Sequence, residues 1–235
     1  MPNNAIILAA GLGKRMRPLT ERMPKPLIEV SGKALIDWAV ELVANAEVKF
    51  LVINTCYKAE MLEAHVVKLN GPDIAISREP EPLETGGGIA NALELLGENP
   101  FFSLNADTIC LPGSENPLNR LSAAWNDETM DALLLLHPKE RAVGYDGAGD
   151  FYLNDDGSVE RRGDRDSAPY VFSGVQLLHP RLFEGAPTDT NGGVFSMNVL
   201  YDKNLTRVHA IIHDGDWLHV GDVAGLARAE AFLSR

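Results

Sequence analysis

The chain is poor in cysteine, in aromatic side chains and in positive charge, and it carries no long apolar run. Only Cys56 and Cys110 occur, far apart and each near the end of an expected strand. Two such thiols give neither a disulfide framework nor zinc-ligand spacing, so both are expected to be reduced and structural. Basic residues number 21 against 33 acidic ones, a formal net charge of -12, which repels nucleic-acid backbones and anionic membrane surfaces. The apolar run from Ala5 to Ala10 stops at a glycine, too short for a membrane span or a secretion signal. A cytoplasmic protein with no nucleic-acid and no membrane partner is expected. Catalytic signatures are missing too. The histidines form no HExxH pair, Ser173 lies in Phe172-Ser173-Gly174 rather than in a GxSxG elbow, and no Walker GxxxxGK[ST] occurs. Those gaps argue against zinc peptidase, serine hydrolase and P-loop NTPase chemistry.

What is present begins at Leu8 and runs to Leu27, LAAGLGKRMRPLTERMPKPL. A short strand empties into a glycine loop carrying Lys14, Arg15, Arg17 and Lys25, four cations in an acidic chain. Backbone N-H groups bared by Gly11 and Gly13, flanked by basic side chains, suit close approach of a polyphosphate. The dinucleotide fingerprint GxGxxG fails at its third position, where Met16 stands, and Pro18, Pro24 and Pro26 forbid an immediate long helix. An extended, functional loop of about fifteen residues is expected.

Hydrophobic residues make up 45% of the 235, enough for one α/β domain, and no fixed-period repeat appears. Apolar periodicity predicts strands at Ala5 to Ala10, Phe50 to Ile53, Ile74 to Ile76, Phe101 to Leu104 and Ala132 to Leu136. Between them it predicts helices on Leu35 to Ala46, Leu62 to Leu69, Ile89 to Leu96 and Leu118 to Trp125. Such alternation builds a mostly parallel sheet flanked by helices, a Rossmann-like α/β fold. Beyond residue 140 the pattern turns to hairpin chemistry. Phe151 to Leu153 and Val159 to Arg161 flank Asn154-Asp155-Asp156-Gly157, and Tyr170 to Leu178 reads as a long strand. A helix is expected at Phe195 to Tyr201, and Val208 to His213 leads through Asp214-Gly215 to Trp217 to Val220. Asp222 is expected to cap a last helix carrying Val223, Leu226, Ala227 and Ala231.

Ligands of open α/β sheets lie outside the carboxyl ends of the strands, which selects Gly11, Asn54, Glu79 and Asp107. Asp107, closing Asn105-Ala106-Asp107, is placed to hold a metal ion against phosphate oxygens; a turn-capping role is the alternative. Glu79 to Gly88, EPEPLETGGG, combines stiffening prolines with three glycines before a helix. It could read a nucleobase edge with main-chain groups. His219, in Trp217-Leu218-His219-Val220-Gly221-Asp222, sits where a second metal ligand would be useful.

Together, LAAGLGKRMRPLT, PKPL, ETGGG and the strand-end Asp closely resemble the sugar-1-phosphate nucleotidyltransferases over essentially the whole chain. EPLETGGGI, GAGDF, VFSGVQLLHP and the late VGD are most similar to uridylyltransferase members, with mannose- or heptose-1-phosphate guanylyltransferases as the alternative. The resemblance implies a GT-A-like fold without the C-terminal β-helix of longer relatives. It implies one domain, residues 1–235, with a nucleotide-binding half at about 1–136 and a sugar-phosphate-binding half at about 137–235. The partners implied are a nucleoside triphosphate, UTP in the uridylyltransferase reading, and a sugar 1-phosphate; oligomeric state is left open.

By the same resemblance, Ala10, Gly11, Gly13 and Lys14 bind the triphosphate. Arg15 neutralises the leaving phosphates, and Lys25 bridges the α-phosphate and the sugar phosphate. Asp107 binds Mg²⁺, with Mn²⁺ a possible substitute; Glu79, Thr85 and Gly86 contact the base; Asp150, Ser173 and Gly174 contact the sugar. The chain departs from the family's late Trp-x-Asp by placing His219 at the Asp position. Imidazole is a poor ligand for magnesium, so either Asp222 reaches the metal, or His219 accepts a softer ion, or water completes the shell. Asp222 as a plain helix cap remains equally open. Two readings compete with an enzyme of this family: a catalytically silent sugar-nucleotide sensor, motivated by the missing late aspartate, and, more remotely, a dinucleotide-dependent oxidoreductase.

Overall fold

The computed structural model describes residues 1–188 and 191–235. In chain order the strands and helices are β1 (Asn4–Leu8), β2 (Glu29–Val30), β3 (Lys33–Ala34), α1 (Leu35–Asn45), β4 (Phe50–Thr55), α2 (Ala59–Val66), β5 (Asp73–Arg78) and α3 (Glu84–Leu96). They continue with β6 (Phe101–Asn105), β7 (Thr108–Cys110), α4 (Pro117–Ala124), β8 (Ala132–Pro138), β9 (Phe151–Leu153), β10 (Val159–Arg161) and β11 (Tyr170–Leu178). The last four are α5 (Met197–Lys203), β12 (Val208–Ile212), β13 (Trp217–His219) and α6 (Val223–Leu233).

A nine-stranded sheet forms the centre. Strands β5, β4, β1 and β6 run parallel in that order, β11 is antiparallel to both β6 and β8, and β12 is parallel to β8. The fold is therefore the mixed, mostly parallel sheet that the sequence predicts. Period-two side-chain direction explains how the strands bury both faces. Ala5, Ile7, Leu51 and Ile53 point to the face covered by α1, α2 and α4, while their neighbours Ile6 and Val52 point to the face covered by α3 and α5. The hairpin of β9 and β10 is joined to β11 through Tyr170, opposite Phe151.

Parallel pairing sets the rim. Leu8 lies opposite both Asn54 and Asn105, and Asn54 lies opposite Ser77. The loops after β1, β4, β5 and β6 thus leave the sheet side by side.

The segments at 208–213 and 217–219 part company, and one expectation needs correction. Strand β12 joins the main sheet, whereas β13 crosses to pair with β7 in a separate two-stranded ladder. The three glycines are not a loop before the helix but its first turn, since α3 starts at Glu84. Close approach explains them. A Cβ on Gly86 would meet the Phe195 ring at 2.4 Å, one on Gly87 the carbonyl oxygen of Gly193 at 2.2 Å, and one on Gly88 the side chains of Asn54 and Glu79 at 2.7 Å. The helix trades intrinsic propensity for intimate contact with α5's approach and with the β4 and β5 ends.

Candidate active site

The loop after β1 is held from below. Met16, where the dinucleotide motif has glycine, is fully buried among Ile28, Val30, Leu35, Ile109, Leu218 and Val220. Such burial is worth about 1.5–3 kcal/mol and fixes a chain that otherwise makes only three short 3-10 turns, Lys14–Met16, Leu19–Glu21 and Lys25–Leu27. Gly13 is required by backbone and space together: its φ is 60°, and a Cβ would meet Thr20 Cγ2 at 2.8 Å and Lys25 Cβ at 3.0 Å. Gly11 is different, because nothing lies within 4 Å of the Cβ it lacks. Its open side faces a cavity of about 310 Å³ lined by Ala9, Ala10, Gly11, Lys25, Asn54, Glu79, Glu84, Thr85 and Asp107, among others. Lys14 and Arg15 remain exposed on the loop above.

Opposite the glycines, Lys25 Nζ donates to Asp107 Oδ2 at 2.7 Å, with side chains 12% and 30% exposed. Burial alone would raise the Asp107 carboxyl. The Lys25 ammonium, helped by His219 and Arg15, outweighs it and holds the group below the usual carboxylate range. The ladder of β7 and β13 aligns His219 with Thr108, which brings the imidazole beside Asp107. Its ring stacks on Trp217 at 5.7 Å and meets Tyr145 edge-on at 6.0 Å. Burial lowers its pKa against the opposing pull of Asp107, which favours the neutral, ligand-competent form. Gly221 makes room for that ring, since a Cβ there would fall 2.3 Å from it.

Glu79, the residue after β5, is almost completely buried. One carboxylate oxygen accepts from Asn54 Nδ2 at 2.6 Å and the other from the Leu83 N-H at 3.0 Å. Burial pushes the carboxyl up, and those two donors pull it partly back. Asn54 in turn accepts from the Ala9 N-H, so one polar chain ties the ends of β1, β4 and β5 to the start of α3. Glu84 opens that helix with φ 60°, uncommon for a residue with a side chain.

Several expected contacts fall elsewhere. The Gly86 N-H donates to the Phe195 carbonyl at 2.9 Å and Thr85 Oγ accepts from the Met197 N-H at 3.0 Å. Gly86 therefore packs instead of offering its amide to a ligand, while Thr85 still lines the cavity. Ser173 is fully buried. Its hydroxyl oxygen accepts from the Val175 N-H, and its carbonyl accepts from Trp217 Nε1 at 2.8 Å. Gly174, φ 84°, sits at the bulge where β11 changes register against β8, pressed on Asn105. Both shape the strand. Asp222 caps α6, its Oδ1 accepting from the Gly225 N-H at 2.8 Å. His219, and not Asp222, is the late residue placed beside Asp107. Asp150 lies in a second cavity, of about 510 Å³, with Arg161, Arg162, Phe172, Asn198 and Tyr201; its carboxylate accepts from the Phe172 N-H at 2.9 Å. Sequence reading missed the two arginines. Their adjacency at the end of a hairpin strand in an acidic chain was the available signal.

A glycine loop, a cation and a carboxylate on one rim match a known pattern from end to end. The sequence model of the nucleotidyl transferase family covers residues 4–161. The chain belongs to that family. It is 40% identical to the N-acetylmuramate alpha-1-phosphate uridylyltransferase of Caulobacter vibrioides, covering 99% of this chain and 98% of that protein. The protein of the same name from Neisseria meningitidis serogroup B is 34% identical, over 97% and 96%. Among solved structures, HddC from Yersinia pseudotuberculosis, complexed with GMP-PN, superposes with a TM-score of 0.77 at 22% identity, covering 98% and 99% of the two chains. That likeness confirms the fold, and it extends past the residues that the family model covers.

Proposed function

We propose that the chain transfers a uridylyl group from UTP to N-acetylmuramate α-1-phosphate and releases pyrophosphate. The observation that carries this reading is the Lys25–Asp107 pair facing the open side of Gly11, in a chain similar over its full length to uridylyltransferases of that substrate. A sugar phosphate oxygen attacks the α-phosphorus, a new P–O bond forms, and the bond to the β-phosphate oxygen breaks. The nucleophile needs no general base, because a phosphate monoester with a second pKa near ~6 is already largely dianionic at neutral pH. The barrier is repulsion between polyanions, which positioning and cations lower.

In this reading Ala10, Gly11 and Gly13 cradle the triphosphate, Lys14 and Arg15 neutralise the leaving phosphates, and Lys25 moves between Asp107 and the reacting phosphates. Glu79 and Thr85 border the base. Magnesium takes oxygen ligands, commonly one or two carboxylates with substrate phosphates and water completing the octahedron. Among the described residues no cluster of three or more His, Cys, Asp or Glu is gathered, so Asp107, with His219 beside it, suits an ion shared with the substrate. Such an ion would neutralise phosphate charge as the bond to the leaving group breaks. We assign residues 1–136 to the nucleotide and 137–235 to the sugar, within one domain. Among the described residues no helix is long and apolar enough to cross a membrane. A cytoplasmic role in salvaging cell-wall sugar follows from the substrate pair.

The test is a matrix of four nucleoside triphosphates against the 1-phosphates of N-acetylmuramate, glucose, mannose and a heptose, scored by pyrophosphate release with Mg²⁺. UTP with N-acetylmuramate 1-phosphate is expected to be fastest. Fastest turnover of GTP with mannose or heptose phosphate would replace this reading by a guanylyltransferase.

A further inference from the structure

Outside the phosphate loop and the C-terminal residue, every arginine of this acidic chain but one is matched by a carboxylate. Among the described residues, Arg78, Arg120, Arg141, Arg161, Arg165, Arg181, Arg207 and Arg228 each lie within ion-pairing distance of an Asp or Glu. Those without such a partner are Arg15, Arg17 and Arg22 on the phosphate loop, Arg235 at the last position, and Arg162. Arg162 is the exception to explain. It is half-buried, directly after β10, and lines the second cavity. Its guanidinium is held by neutral groups: Nε donates to the Gly149 carbonyl at 3.1 Å and Nη1 to the Arg165 carbonyl at 2.9 Å.

Two backbone carbonyls fix the plane of the guanidinium without cancelling its charge. The Nη2 hydrogens and one on Nη1 stay unassigned. Of the acids in the cavity, Asp202 pairs with Arg161 at 3.1 Å, and Asp150, which accepts from the Phe172 N-H, is not within ion-pairing distance of Arg162. A preorganised arginine fork with no carboxylate in contact is a receptor for a planar oxyanion. Phe172 and Tyr201, 6.4 Å apart edge to face, give the same cavity an apolar wall. The start of α5 borders both cavities. The Met197 N-H donates to Thr85, which lines the first, and the next residue, Asn198, lines the second.

We propose that Arg162 binds a carboxylate carried by the sugar away from its phosphate, and so selects acidic sugar phosphates over neutral ones. The proposal rests on the reading that a sugar 1-phosphate is the acceptor. It deepens that reading, since N-acetylmuramate differs from N-acetylglucosamine by an ether-linked lactyl group whose carboxylate is a second anion.

The experiment compares kcat/KM for N-acetylmuramate 1-phosphate and N-acetylglucosamine 1-phosphate at saturating UTP, in wild type, Arg162→Gln and Arg162→Lys. Arg162→Gln is expected to lower kcat/KM for the acidic sugar about 10- to 100-fold, as loss of a charge-assisted hydrogen bond does. The loss should fall mainly on KM, with the neutral sugar changed less than about twofold. Arg162→Lys should lie between, keeping charge but not the fork. Equal losses on both sugars would overturn the proposal and leave Arg162 as a strut of the hairpin, with the function intact. A wild type that uses both sugars equally would also overturn it. Turnover of neither sugar with any nucleotide would sink the functional reading itself, and the proposal with it. Should Arg162→Gln fail to fold, calorimetry on the wild type decides: free N-acetylmuramate is expected to bind and free N-acetylglucosamine to bind at least tenfold more weakly, and equal binding refutes the idea.

Discussion

The two cavities are built by different means. The first is assembled from the carboxyl ends of four parallel strands, so the residues after β1, β4, β5 and β6 converge because the sheet is parallel. Its walls are the small residues Ala9, Ala10 and Gly11, the Lys25–Asp107 pair and the polar side chains of Asn54, Glu79 and Thr85. The second is assembled from a hairpin, the bulged strand β11 and the short helix α5, and its walls are side chains, two arginines among them. A rim made by topology can host chemistry common to a family, such as holding a triphosphate. A wall made of side chains on a hairpin can change without disturbing the sheet, which suits selection of the sugar.

The comparison breaks most sharply at Lys25 and Asp107. Lys25→Ala and Asp107→Asn are each expected to lower kcat by at least about 10²–10³-fold, the scale for removing one group aimed at transition-state charge. The check is pyrophosphate release at saturating substrates, with circular dichroism confirming a folded protein. Full turnover in either variant would show that the first cavity does not carry the reaction.

A smaller effect lies in the interior behind the first site, where His137 packs on Trp217, the ring that stacks on His219. His137, fully buried and 6.0 Å from His213, has its pKa lowered to about 4 by burial and by its cationic neighbours. An unfolded histidine titrates near ~6.5, so between those values the unfolded chain holds more protons than the native one. Stability from this group is therefore complete above about 6.5 and falls as the pH drops towards 4. By pH 5 the loss amounts to about 2 kcal/mol. Urea midpoints at pH 7 and pH 5 should diverge more in the wild type than in His137→Leu; equal pH slopes would remove His137 as the source.

The same contrast explains what could be read without coordinates. Apolar alternation places the long helices and strands of the first 136 residues within a few positions and misses the short β2, β3 and β7, and the strand-end rule gathers Gly11, Asn54, Glu79 and Asp107 on one rim, because parallel topology leaves them no other. Local motif reading failed where a residue's partner is distant in sequence. Gly86 and Gly87 look like ligand-facing glycines until Phe195 and Gly193 are seen against them. Ser173 looks like a sugar contact until Trp217 closes over its carbonyl. Arg162 drew no attention, since an unpaired arginine can be recognised only once every carboxylate has been placed.

The smallest expected effect sharpens the boundary between the regions. Asp222 and His219 are three residues apart, yet β13 turns one toward Asp107 and α6 takes the other as its cap. Asn caps a helix about as well as Asp. Asp222→Asn should therefore move the unfolding temperature by no more than a few degrees and leave the Mg²⁺ concentration for half-maximal activity unchanged. His219→Ala should raise that concentration several-fold, because the imidazole lies beside Asp107. A shifted Mg²⁺ requirement in Asp222→Asn, with His219→Ala indifferent, would return Asp222 to the metal shell. It would also mean that the loop after β13 rearranges when the ion binds, freeing a carboxylate that in this structure belongs to the helix.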